Sequence, residues 1–265
     1  MNAPQENAPL RSTFPRGPRR QVSTADLEVR REVYLAAALD TFSIGRLAAL
    51  PHLTGTRCLD LGPGGSAVPV WLRDRVGAAG EVVTAAGDPL PPAVLAPGRY
   101  GLIRARLLLM RVPHPEALLR RLAAALGPGG TLVVEDWHLW PDDVVLAAPS
   151  PRDGGLVERC QRLLIEEILP GHGVDPTWAT RAHAAARAAG LTTVDTQIHL
   201  PVWSAGDPGA LLMAVDLVRH RRRLLAAGLT PAELDRARQL VTDPGSGLVL
   251  RGHPLYSTSG PAPPW

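Results

Sequence analysis

Lysine is absent from the 265 residues, so all 28 basic side chains counted beside the histidines are arginine. Schiff-base chemistry and a phosphate-loop lysine are thereby excluded. Cysteine is scarce: Cys58 and Cys160 are the two occurrences, which rules out a disulfide framework and a cysteine-rich zinc site and suits a reducing compartment. The histidines show no ligand spacing, so no metal is expected. No run reaches the roughly 18 apolar residues of a spanning helix, and residues 1–20 lack the apolar stretch of a signal peptide. These absences lead to the expectation of a soluble, cytoplasmic protein with no membrane partner.

Charge of either sign is nearly balanced, at a formal +3. Part of the excess sits among prolines at Arg11, Arg16, Arg19 and Arg20, and residues 1–22 read as a disordered Pro/Arg-rich tail. The Arg219 to Arg223 run lies in a helical pattern with no aromatic platform beside it, so it reads as a solvated face. No nucleic-acid partner is expected.

What is present is an alternation of helices and strands. Residues 24–39 carry apolar side chains at helical spacing, and a second short helix is expected over 44–50, stopped by Pro51. Strands are predicted at 56–61, 81–86, 100–109 and 131–135, and helices at 66–76 and 115–126. Such alternation implies a parallel sheet with right-handed crossovers. The second half is more helical, with helices near 155–169, 178–189, 208–227 and 231–241. Two extended stretches, 192–202 and 247–256, are expected to form a late antiparallel pair at the sheet edge, and residues 258–265 a loose tail. One domain over 23–257 is expected, with N-terminal helices in 24–51, a core in 56–136 and a helical lid with C-terminal strands in 137–257.

The strand at 56–61 runs into Gly62-Pro63-Gly64-Gly65, a turn where bare backbone can approach a ligand closely. Gly62, Gly64 and Ala67 also satisfy the dinucleotide offsets, which keeps a nicotinamide-binding oxidoreductase open as an alternative. Asp60, two residues before the first glycine, weighs against it: a carboxylate there attracts an ammonium and repels a pyrophosphate.

Cys58 to Ser66 resembles the first motif of class I S-adenosylmethionine-dependent methyltransferases. Tyr100 to Met110 is similar to the family's fourth-strand segment, and Leu126-Gly-Pro-Gly-Gly-Thr-Leu-Val-Val-Glu-Asp136 to its Pro-Gly-Gly turn and fifth strand. The resemblance covers about residues 56–136 and implies a Rossmann-like α/β fold: a mostly parallel sheet, a late antiparallel strand, and N-terminal and lid helices. It implies S-adenosylmethionine as cofactor and a small-molecule acceptor, with secondary metabolism as the setting. The sequence departs from the pattern twice. The position of the ribose-binding acid falls on Ala86, with Asp88 two residues later, and the stretch from Asp88 to Tyr100 is a helix and a strand too short. The sheet should therefore be one strand short.

By this resemblance Asp60, Gly62, Gly64, Gly65 and Asp88 would contact the cofactor. Arg104 and Arg106 alternate onto one face of their strand, and Arg106 is the candidate to reach the cofactor crevice, ion pairing being the competing role. His138 follows the fifth strand, where a general base could act on an acceptor hydroxyl. Tyr34, Trp137 and Trp140 are candidates for lining the acceptor pocket. The departures motivate a second expectation: the same fold without methyl transfer, as a cyclase or isomerase, or as a partner subunit of an active homologue. A homodimer is the simpler assembly.

Overall fold

The computed structural model describes residues 23–264 apart from 52, 86 and 88. It opens with one long helix, α1 (Thr24–Ala48), begun by a reciprocal capping box between Ser23 and Asp26. Two helices were expected here. The gap left between the expected helices at residues 40–43 is helical in the structure, where Asp40 and Ser43 face a buried network of ions.

After α1 come β1 (Arg57–Leu61), α2 (Val68–Val76), β2 (Glu81–Ala85), β3 (Tyr100–Arg106), α3 (Pro115–Ala124) and β4 (Leu126–Trp137). These alternate as expected, and β1–β2, β1–β3 and β3–β4 all pair in parallel. β1, β3 and β4 are buried almost throughout, as strands covered on both faces must be. The chain continues through β5 (Val145–Ala147), α4 (Pro151–Arg162), α5 (Ala182–Ala188), β6 (Asp195–His199), β7 (Val202–Ser204), α6 (Pro208–Arg219), α7 (Arg221–Ala226), α8 (Pro231–Thr242), β8 (Val249–Arg251) and β9 (Leu255–Pro261). The helix expected over 208–227 is two helices meeting at His220.

The main sheet has six strands in the order β2-β1-β3-β4-β9-β6, with β9 antiparallel to both its neighbours. The region between β2 and β3 contributes a single short 3₁₀ turn, Pro92–Leu95, where the sequence is too short for a further helix and strand. Each of the two late extended stretches is shared between sheets: β6 pairs with β9 in the main sheet, while β7 pairs with β8 in a separate three-stranded sheet, β5-β8-β7.

One expectation is corrected outright. Residues 258–261 are not a loose tail, because they complete β9, which lies inside the sheet between β4 and β6. The misreading came from composition: Ser257, Thr258 and Ser259 carry little hydrophobic signal. Ser257 and Thr258 are nonetheless buried, with Ser257 Oγ donating to Glu135 and Thr258 Oγ1 sharing a hydrogen bond with Thr196.

Two apolar clusters lie along the main sheet, the smaller one joining Leu47 and α2 to Cys58, Leu102 and Val133, and a third gathers α4, α6, α7 and α8. Leu163–Ile168, continuing α4, is a π-helical segment. Such widened turns are uncommon and frequent at functional sites.

Candidate functional site

β1, β2 and β3 end on the same side of the sheet, where open α/β sheets hold their ligands. At the end of β1 the chain turns through Gly62, with φ +159°, and Gly65, with φ +73°. The second value lies in the left-handed region that glycine adopts freely. A β-carbon on Gly62 would stand 2.8 Å from the Arg106 carbonyl, and one on Gly64 would stand 2.8 Å from the Glu32 carboxylate. β3 and α1 thus press on the turn from two directions.

Beneath the turn is a closed polar network on one face of the sheet. Arg104 donates to Asp60 at 2.7 Å, to Glu135 at 3.0 Å and to Ser43 at 3.2 Å. Ser43 in turn donates to Glu135 at 2.7 Å. Arg106 is tied to Asp40 of α1 at 2.7 Å, and the other Asp40 oxygen accepts from the Ala67 backbone N–H, also at 2.7 Å. Asp40 thereby supplies the cap that Ala67, at the head of α2, cannot provide itself. Arg104 is 1% exposed, and two carboxylates hold its proton more firmly against the burial that works to release it. In Arg106 burial, with Arg104 next in importance, lowers the affinity for the proton.

This geometry assigns the pair of strand arginines to structure. Arg106 is committed to Asp40, and neither arginine borders the openings described below. Asp60 is only half engaged: Oδ1 accepts from Arg104, while Oδ2 takes no hydrogen bond among the described residues. It lines an open depression of about 330 Å³ with Gly62, Gly64, Gly65, Thr84 and Ala85.

A second crevice, of about 340 Å³, lies on the other side of Gly62 and Pro63 and is bounded by Gly87, Leu107, Leu108, Arg31 and Arg111. Leu107 holds a left-handed φ of +51°, an uncommon conformation for leucine, fixed by donation from its backbone N–H to the Glu135 carbonyl at 2.8 Å. Asp88 and Ala86 lie outside the described residues.

Adjoining the crevice is a partly open, mainly apolar chamber of about 100 Å³ between β4 and the helical second half. Trp137, Leu139, Leu164, Ile165, Met213 and Trp203 form much of its wall. The π-helical segment therefore contributes two of these side chains. Trp203 lies flush on α6: a β-carbon on Gly209 would stand 1.9 Å from its indole. Arg31 and Arg111 border both crevice and chamber, forming the partition between them. Arg31 is paired with Asp216 at 3.8 Å.

The other expected site residues are dispersed. Trp137 does line the chamber. Tyr34 is packed in the main core. His138 and Trp140 border neither crevice nor chamber: His138 Nδ1 accepts from the Trp140 indole at 2.9 Å, and Arg251 lies over that indole at 4.4 Å. Burial lowers the His138 pKa, so its ring favours the neutral form.

The residues not anticipated are Arg31, Arg111, Trp203, Gln161 and His253. His253 borders the chamber and accepts the Trp140 backbone N–H at Nδ1, while Nε2 meets the Gln161 side-chain amide. Burial, then the charges of His138 and Arg251, pushes its pKa down to about 4. Among the described residues no group of three His, Cys, Asp or Glu could hold a metal ion. No helix among them is long and apolar enough to cross a membrane.

The model of the methyltransferase-domain family matches residues 30–162. That span contains the glycine turn, both strand arginines, the partition and β4. No curated protein matches the chain.

Solved structures do resemble it. A protein from Bacillus halodurans C-125 described as a candidate methyltransferase superposes with a TM-score of 0.50 at 15% identity, covering 85% of this chain and 99% of its own. The YcgJ protein of Bacillus subtilis reaches 0.48 at 14% identity, covering 84% and 99%. A phosphoethanolamine N-methyltransferase of Haemonchus contortus, solved with phosphomonomethylethanolamine and S-adenosylhomocysteine, reaches 0.46 at 13% identity, covering 92% and 59%. At 15% identity the likeness to the Bacillus halodurans protein is one of fold.

Proposed function

Because the chain belongs to the methyltransferase-domain family, we propose that it is a working class I enzyme that moves the methyl group of S-adenosylmethionine onto a small apolar molecule. One observation carries this reading: an open crevice at the strand ends shares two wall residues, Arg31 and Arg111, with a partly open, mainly apolar chamber. A transfer enzyme needs that arrangement, with a donor space and an acceptor space meeting at one wall.

The residues present fit the cofactor. Asp60 keeps one carboxylate oxygen unengaged beside the glycine turn, suited to an ammonium. Gly62, Gly64 and Gly65 leave backbone exposed for close approach, and Leu107, Leu108 and Gly87 offer a mainly apolar wall on the other side. Bound there, the cofactor would supply a methyl group on a positively charged sulfur.

The protein's own part is positioning and exclusion of water. Trp137, Leu139 and Ile165 give the chamber an apolar wall, so an acceptor enters at the cost of few hydrogen bonds. Orientation within such a site supplies much of a barrier reduction without a dedicated base. His253 is poorly suited to that task, since its low pKa and its two hydrogen-bonded nitrogens hold it neutral. His138 would act only on an acceptor that reached past the chamber. The proposed setting is secondary metabolism, and the genes beside this one would test it by encoding enzymes that build an apolar scaffold.

One observation favours a second reading, the same fold without methyl transfer. The described end of β2 is Ala85, which offers no carboxylate to a ribose. Isothermal titration with S-adenosylmethionine separates the cases, followed by release of label from the methyl-labelled cofactor in the presence of candidate acceptors. Binding is expected in the micromolar range. No heat at millimolar cofactor would remove the methyltransferase reading, and binding without transfer to any acceptor would favour the alternative.

A further inference from the structure

The partition sets two arginines, Arg31 and Arg111, against the single carboxylate of Asp216, which lines the same chamber and acts on Arg111 without bonding to it. Arg31 is paired with Asp216 and Arg219 with Glu28, but Arg111 makes no hydrogen bond or ion pair among the described residues. It stands on a short 3₁₀ turn directly after β3, solvent-accessible, and borders both crevice and chamber. The nearest buried carboxyl is no substitute. Asp136 has its pKa raised to about 8 by burial and is therefore largely protonated at neutral pH, with Oδ2 accepting from the Trp178 indole. Burial, and then the neighbouring Arg31, lowers the Arg111 pKa to about 10. The guanidinium remains charged at neutral pH.

An unpartnered arginine beside a like charge, at the mouth of an apolar chamber, calls for an anion. We infer that Arg111 receives the carboxylate of the methyl acceptor, so that the substrate class is a small apolar acid whose ring or short chain occupies the chamber while its carboxylate stays at the partition. This rests on the function proposed above.

The chamber, at about 100 Å³, is of the order that accepts a single ring or a short aliphatic chain. The competing source of a carboxylate is the cofactor, whose ammonium and carboxylate sit on one carbon. Asp60, the group suited to that ammonium, opens on the depression that Arg111 does not line. The cofactor's carboxylate therefore belongs on that side of Gly62 and Pro63, and the Arg111 charge is left for the acceptor. Arginine also suits a planar carboxylate through paired N–H donors.

The test is isothermal titration of the full chain with 3-phenylpropanoate and with its alcohol, 3-phenylpropanol, in wild type, Arg111→Met and Arg111→Lys, alongside S-adenosylhomocysteine. Wild type should bind the acid about tenfold or more tightly than the alcohol. Arg111→Met should erase that preference while leaving the S-adenosylhomocysteine affinity within about twofold, and Arg111→Lys should retain part of it. Equal binding of acid and alcohol by wild type, or binding of neither at millimolar concentration, overturns the inference without any variant. So does a loss of S-adenosylhomocysteine binding in Arg111→Met with the acid preference intact, since the anion would then be the cofactor's. If wild type prefers the acid but binds no S-adenosylhomocysteine, the methyltransferase reading fails and the acid site stands.

Discussion

Arg104 and Arg111 are seven positions apart in sequence and occupy opposite electrostatic situations. Arg104 is enclosed by Asp60, Glu135 and Ser43, so its burial is offset by two carboxylates and a hydroxyl. Arg111 stands at an opening beside Arg31 with no counter-charge attached. Arg104 is desolvated and has that cost compensated within the chain, whereas Arg111 keeps contact with solvent and has no bonded carboxylate. The difference separates a structural arginine from one held ready for something else, and sequence spacing alone does not make that distinction.

The largest expected effect comes from breaking the compensated side. Arg104→Met leaves Asp60 and Glu135 buried without their shared partner, and should lower unfolding free energy by about 3 to 5 kcal/mol, read as a shift of the denaturant midpoint. A change below about 1 kcal/mol would mean that the network does not hold α1 to the sheet.

A middle effect should come from the carboxyl near the partition. The folded pKa of Asp136 is raised to about 8 from 3.8 by burial. The folded state therefore holds the proton that the unfolded chain has already released, and stability falls as pH rises from the unfolded value up through 8. About 2 to 3 kcal/mol should be lost between pH 6 and 9 on this account. Asp136→Asn should flatten that part of the profile, and a variant whose melting temperature tracks wild type across the range would rule the assignment out.

The smallest effect sharpens the contrast. Arg111→Met removes a charge that no carboxylate bonds, Asp216 acting on it only through space, and its melting temperature should stay within the shift produced by about 0.5 kcal/mol or rise. A loss comparable to that of Arg104→Met would show that Arg111 has a structural counter-charge after all.

Much of the core was legible because strand, glycine turn and helix follow one another with the periodicities each requires. The Gly62 to Gly65 turn and the parallel strands lie where their apolar runs indicated, and the short stretch before Tyr100 does leave a six-stranded sheet. Legibility ended where polar residues are buried by mutual satisfaction. Residues 40–43 fell between two expected helices because the partners of Asp40 and Ser43 lie 66 and 92 positions away, in Arg106 and Glu135. Thr258 read as the start of a tail for the same reason, its hydrogen-bond partner Thr196 lying 62 positions away.

Arg106 was legible as facing a polar partner but not as facing α1. Arg111 was missed because it follows the apolar run from Leu107 to Met110 and looks like the first surface residue after a strand. Its position between two cavities depends on helices contributed from a hundred residues downstream. A lone arginine just beyond a buried strand end, in a chain without lysine, was the available signal.

The join between α1 and β9 also has a temporal side. Arg46 Nε donates to Ser257 across 211 positions, and Nη2 reaches Asp195 and Ser259. During synthesis the polar stripe of α1 must wait until residues 257–259 have left the ribosome before its last partners exist. Contacts that span so much sequence slow folding, and a nascent chain stalled before residue 255 would hold α1 against β3, β4 and α6 while Arg46 still lacked its β9 partners, leaving that end of the sheet open to chaperones.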